Sequence, residues 1–259
     1  MKHPMIGISN EIREAIVCRL LVLLQDKYGN DLLFFGLKGS MARGDFDQRS
    51  DIDAFGIING KQSKSFKMYY GDVSIDLSVL TFDDACRNVT SLSGGWWPYR
   101  VGSLLEPMIV LDRDEIYQRL HKAVDELRKY PEKFYAACQS GGYYEYYPKA
   151  VREYRSGNYP MLRYAAWELF LMASLDLGLI NQQYYTIHGP NVIRQYDRMT
   201  KFLPQGFSSH AALCFDSDPE KVMEGCTYIF NETKRWRLEF GIDELAGVNR
   251  VNAVKDLLL

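Results

Sequence analysis

The stretch GSMARGDFDQRSDID, Gly39 to Asp53, opens on a small, flexible pair and closes on two aspartates spaced two apart. It is framed by DLLFFGL (31–37) and DIDAFGII (51–58), and KSFKMYY (64–70) and VSIDLSVL (73–80) follow. All four runs are short and rich in β-branched and aromatic residues, which predicts strands. Gly71-Asp72 is the turn that joins the last two as a hairpin. In an extended strand, side chains at i and i+2 leave the same face, so Asp51 and Asp53 project together with their Cα atoms about 6 to 7 Å apart. Ile52 and Ala54 turn the other way, toward a core.

A third acid is in phase. Asp76 stands between Ile75 and Leu77, so it too projects opposite an apolar face. If its strand lies beside the strand of Asp51 and Asp53, three carboxylates converge. Such acids repel unless a cation lies among them, and hard oxygen ligands suit Mg²⁺. A lone Asp-x-Asp is more often a solvated strand end; Asp76 is what brings the two readings level. At the other end of the stretch, Gly39 lets backbone approach a ligand, while the Ser40 hydroxyl and free N–H groups suit phosphate oxygens. Arg43, one turn on, adds a fixed positive charge.

Working outward, Asn10 to Tyr28 reads as a helix with Ser9 at its start and Gly29 at its end. A helix begins near Thr81, the loop SLSGGWWPYRVGS follows, and Asp112 with Glu115 resembles a capping box for a helix to about Arg128. Beyond Pro131 the pattern turns helical, with helices expected over roughly 132–155, 160–177, 190–202 and 219–240. The expected architecture is therefore α/β, in the α+β sense: a small mixed-sheet domain over 1–128, then a helical bundle domain over 129–259.

Composition sets the outer bounds. The 31 Lys and Arg against 33 Asp and Glu give a net charge of −2, without the broad basic field that holds duplex nucleic acid. Five scattered cysteines and four scattered histidines suggest reduced thiols and no zinc cluster. No run reaches the roughly 18 apolar residues of a membrane span, and the first residues carry no signal-like apolar segment, so a cytoplasmic protein is expected.

The order strand, Gly39-Ser40, Asp51-Ile52-Asp53-Ala54, then a later strand with Asp76 resembles the nucleotidyltransferase (DNA polymerase β-like) superfamily over residues 30 to 80. Lys38 departs from the apolar or aromatic residue usual before the Gly-Ser. The length and the helical second half look most like the kanamycin (aminoglycoside) nucleotidyltransferases. That resemblance implies Asp51, Asp53 and Asp76 as metal ligands, with Asp76 completing the shell or assisting proton removal. Gly39, Ser40 and Arg43 would hold nucleotide phosphates.

It also implies a glutamate general base in the first long helix of the second domain and a lysine one turn later near the phosphates. Glu145 and Lys149 in GGYYEYYPKAVREY match this arrangement, on one helical face at i and i+4. A Glu145 partly buried among Tyr143, Tyr144, Tyr146 and Tyr147 would have its pKa raised toward a working value. Pro148 between the two removes a helix hydrogen bond.

The implied activity is Mg²⁺-dependent transfer of a nucleoside monophosphate, AMP from ATP, to a hydroxyl of a small acceptor such as an aminoglycoside antibiotic. The implied partners are that acceptor, the nucleoside triphosphate and a second copy of the chain in a homodimer, with neither nucleic acid nor membrane. The rival acceptors are a lincosamide or another hydroxylated metabolite. A rival of another class is a catalytically silent nucleotide-binding or interaction module.

Overall fold

The computed structural model describes residues 8–138 and 142–245. In chain order the elements are α1 (Asn10–Tyr28), β1 (Leu32–Leu37), α2 (Gly39–Arg43), β2 (Ile52–Ile58), β3 (Lys64–Tyr70), β4 (Val73–Thr81), α3 (Phe82–Thr90), α4 (Trp97–Arg100), α5 (Gly102–Leu105), β5 (Met108–Asp112) and α6 (Ile116–Arg128). Helices α7 (Pro131–Ala136), α8 (Gly142–Arg155), α9 (Tyr159–Asn181), α10 (Phe207–Leu213), α11 (Pro219–Glu239) and α12 (Ile242–Leu245) follow, with a 3₁₀ segment at Gly189–Arg198. The chain divides into two compact units. The first comprises 1–91 and 101–127, and the second comprises 92–100 and 128–259.

In the first unit the strands form one mixed sheet in the order β3-β4-β2-β1-β5. Strands β2 and β4 run parallel, and the other neighbours are antiparallel. The β3–β4 hairpin turns at Gly71, which has φ +58. One face of the sheet, with Ile52 and Ala54 of β2 and Ile75, Leu77 and Val79 of β4, buries against Val17, Leu20 and Leu24 of α1. Ser9 accepts from the Ile12 amide at the start of α1, and Gly29 ends it at φ +55. Thr81 caps α3 by accepting from the Asp84 amide at 3.1 Å.

Three local expectations change. Strand β5 has no counterpart in the sequence reading. It forms because β1 offers it an antiparallel partner, pairing Phe34 with Asp112 and Leu37 with Met108. Asp112 does cap α6, accepting from Ile116 N at 2.8 Å, but Glu115 takes φ +54 and lies outside the helix, so no capping box forms. The expected loop after α3 instead holds the single turns α4 and α5.

Among its described residues the second unit contains helices and connecting loops and no strand. The helix expected over 132–155 is two, α7 and α8, and α8 runs unbroken through Pro148. The segment expected as a helix over 190–202 is 3₁₀ at Gly189–Arg198, held against the preceding loop where Thr186 N donates to Gln195 Oε1 at 2.9 Å. Helix α9 forms the centre, with Leu162, Ala165, Ala166, Leu169 and Ala173 buried. Three charges share this core: Arg237 on α11 pairs with Asp176 on α9 and with Asp243 on α12, the latter at 2.7 Å. The five cysteines are free, and Cys138, Cys214 and Cys226 are buried.

Candidate active site

The parallel ladder between β2 and β4 pairs Ile52 with Ile75, Asp53 with Asp76 and Ala54 with Leu77. The two aspartates are therefore direct neighbours across the ladder, on the face opposite the α1 core. The period-two alternation that puts Ile52, Ala54, Ile75 and Leu77 inside leaves the acids no other direction. Asp51 lies one residue before β2 and is exposed.

The turn between β1 and α2 closes over Asp53. Lys38 N donates to the Asp53 carbonyl at 2.9 Å, which fixes the chain just before the Gly-Ser. Gly39 follows at φ +66, and a Cβ added there would stand 2.6 Å from Asp53 Oδ2. The residue is glycine for two independent reasons: a left-handed backbone and a carboxylate oxygen in the space a side chain would take. Gly39 thus belongs to the carboxylate site as much as to the turn. Helix α2 ends at Gly44, at φ +75.

The charges are coupled. The Asp53 carboxyl is pushed above the usual aspartate range, first by burial. Lys38 opposes that shift, Asp76 and Asp51 add to it by like-charge repulsion, and Arg43 opposes it. All three predicted acids and Arg43 therefore share one electrostatic neighbourhood with Lys38. Arg43 also pairs with Asp45 at 3.1 Å, and Lys67, opposite Asp76 on β3, approaches it to 3.8 Å. Lys38 and Lys67 are absent from the sequence-derived site. Register could have pointed to Lys67, because an antiparallel hairpin turning at Gly71-Asp72 places it beside Asp76.

The donor set suits a hard divalent cation: adjacent carboxylates, one with a raised pKa that a positive charge would relieve. Among the described residues no group of three or more His, Cys, Asp or Glu stands in metal-holding geometry. Asp53 and Asp76 are the pair, Asp51 flanks it, and phosphate oxygens and water would supply the remaining ligands.

The other two candidates lie on α8 of the second unit. Glu145 and Lys149 form an ion pair at i and i+4, and the Lys149 ammonium lies 4.9 Å from the Tyr146 ring centroid. The Glu145 side chain is 60% exposed, which corrects the expectation of partial burial among tyrosines. The aromatic contacts on this helix go elsewhere. Tyr143 is buried, and Tyr147 stacks on Phe230 of α11 at 4.2 Å. Burial and the nearby Glu168 raise the Tyr146 hydroxyl above its usual range, so α9 brings a second carboxylate near the same surface.

The sheet, the paired acids and the Gly39 turn are the features on which the sequence resembles nucleotidyltransferases. Residues 114–243, half of the chain, match the family described as KNTase C-terminal domain, and the chain belongs to that family. Among solved structures it is similar to a nucleotidyltransferase-like protein from Exiguobacterium sibiricum 255-15 at 10% identity. The TM-score is 0.40, over 83% of this chain and 74% of that one. No curated protein matches the sequence.

Proposed function

We propose that the protein transfers a nucleoside monophosphate, AMP from ATP, to a hydroxyl of a small acceptor, with an aminoglycoside as the acceptor class to test first. The observation that carries the reading is the registered pair Asp53–Asp76 with the Gly39 backbone set against the Asp53 carboxylate. Asp53 and Asp76, with Asp51 beside them, would hold Mg²⁺, which supplies charge neutralisation to phosphate oxygens.

In this reading the chain's own groups bind and orient. Gly39, Ser40 and Arg43 receive the β and γ phosphates, and Lys149 serves the phosphates from α8. Glu145 accepts the proton of the acceptor hydroxyl, a useful service because an alcohol is a poor nucleophile at neutral pH. The hydroxyl oxygen bonds to the α-phosphorus, the bond from that phosphorus to the bridging oxygen breaks, and pyrophosphate leaves. Glu145 needs a covered surface to act as a base. The exposed Tyr144, Tyr159, Met161 and Tyr164 of the helical unit are consistent with a homodimer that covers it. Cytoplasmic ATP and Mg²⁺ would supply the reaction. Among the described residues no helix is long and apolar enough to cross a membrane.

The test is pyrophosphate release in a matrix of nucleoside triphosphates, Mg²⁺ and aminoglycosides. Release that requires both Mg²⁺ and an acceptor, and that vanishes in a folded Asp76→Asn protein, is the expected result. Absence of release with every combination would overturn the reading.

A further inference from the structure

Helix α1, the end of β1, α2, the segment 44–51 and the edge strand β5 surround a cavity of about 300 Å³, lined only by residues of the first unit. Its walls are apolar: Val17, Leu37, Met41, Phe46, Met108 and Val110. Arg13, on the first turn of α1, lines the same cavity and is 1% exposed. Its Nη2 donates to the Asp47 carbonyl at 2.8 Å, and the guanidinium lies 5.6 Å from the Phe46 ring centroid. Among the described residues, the buried Nε and Nη1 have no acceptor. The Asp47 carboxylate is engaged by the Arg49 amide and the Ser50 hydroxyl, so it acts on Arg13 only through space, as Asp51 does.

A buried guanidinium with idle donors costs free energy that a leucine at the same place would not. The arrangement becomes favourable when an anionic acceptor meets those donors inside the apolar walls. Glu14 and Asn10 stand exposed at the rim, and the Glu14 carboxylate repels a second negative charge. The volume lies at the small end of ligand cavities. These features select a single carboxylate on a short apolar body over a phosphate, a dicarboxylate or a cation.

We propose that this cavity binds a small apolar monocarboxylate, its carboxylate accepting from the Arg13 guanidinium and its chain packing among Val17, Leu37, Met41, Met108 and Val110. Arg13 also ties the cavity to segment 44–51, the connection between Gly39-Ser40 and Asp51. The Ile8 amide, donating to the Gln48 carbonyl at 3.0 Å, adds a second tie from the chain just before α1. A bound carboxylate would therefore restrain that segment.

Octanoate is the probe, titrated calorimetrically into the full chain below its micellar range, with octanamide and octylammonium as controls. Wild-type protein is expected to bind octanoate about tenfold or more tightly than octanamide, the weight of one charge-assisted hydrogen bond. Arg13→Met should remove that preference. Val110→Trp, on the exposed edge strand, should weaken both ligands by filling the cavity while leaving Arg13 in place. Amide hydrogen exchange over 44–50 should slow on octanoate binding. Failure of wild type to bind at millimolar octanoate, a preference for octanoate retained in Arg13→Met, or unchanged exchange over 44–50 would each overturn the proposal.

Discussion

Asp53 sits half-buried in a strand ladder, registered against Asp76 and covered by the Gly39 backbone, whereas Glu145 stands exposed on α8 and pairs with the next turn of its own helix. Both are carboxylates singled out by their sequence neighbours, yet only the first is held by distant parts of the chain. A ladder transmits position: once Ile52 and Ile75 are buried side by side, Asp53 and Asp76 must meet. A helix transmits only its own face, so Glu145 and Lys149 meet each other and the rest depends on what covers them. The first unit carries its paired carboxylates at the candidate site, while the second carries its charge cluster in its core, at Arg237, Asp176 and Asp243.

The contrast breaks most sharply at Arg237. Replacing it by Met leaves two carboxylates in the core without their cation, and the expected loss is about 3–5 kcal/mol. A urea unfolding curve followed by far-UV circular dichroism would measure it. An unshifted midpoint would mean that the second unit does not depend on this cluster. Next in size is Glu145→Gln, expected to slow transfer by about 10²-fold or more while nucleotide affinity and unfolding temperature stay unchanged. Turnover at the wild-type rate would remove Glu145 from the chemistry and leave it a surface residue of α8.

The same contrast explains what could be read from sequence. The shared face of Asp53 and Asp76 was legible because period-two alternation names the face of every residue on a strand, and Gly71-Asp72 gave the hairpin; Asp51 lies just outside β2, where alternation does not reach. The pairing of β2 with β4 in parallel was not legible; it depends on which strand edges meet. Strand β5 was missed because MIVLD is five residues with no alternation, exposed at the sheet edge, and owes its extended form to β1. Gly39 was read as a phosphate turn, but its closest steric demand comes from Asp53, a contact across fourteen residues that spacing does not reveal. Lys38, noted only as a departure from the family pattern, is the largest favourable charge acting on Asp53. In the second unit, buried stripes such as that of α9 were legible from helical period. The break between α7 and α8 was not, because Pro131 and Pro148 mark helix interiors and starts alike.

A smaller effect sharpens the role of the turn. Gly39 and Gly44 both have positive φ, +66 and +75, but only Gly39 has an atom in the path of a Cβ, since Gly44 has nothing within 4 Å. Alanine at Gly44 should cost about 1 kcal/mol from backbone strain alone. Alanine at Gly39 should cost more, about 2 kcal/mol, and should also displace the Asp53 carboxylate and weaken Mg²⁺-dependent activity. Equal costs, with equal activity, would show that the close approach at Gly39 does not matter.

The smallest expected change in stability carries the sharpest sign. Because the folded Asp53 carboxyl is raised above its unfolded value, ionised Asp53 opposes folding at neutral pH. That penalty is absent below the unfolded value of about 4 and complete only above the raised one. Wild-type stability should therefore lose this contribution as pH climbs through the window, and Asp53→Asn should not. Solvent screening of a half-exposed group limits the gain at pH 7 to about 0.5 kcal/mol, or roughly 1–2 °C. Mg²⁺ reverses the sign, since it binds the ionised form. It should raise the wild-type unfolding temperature at pH 7, lose that effect as pH falls toward 4, and leave Asp53→Asn untouched. Thermal scans with and without Mg²⁺ at several pH values would separate the two. A destabilised Asp53→Asn protein would mean that Asp53 serves the fold rather than a cation, and the distinction drawn between the two units would lose its basis.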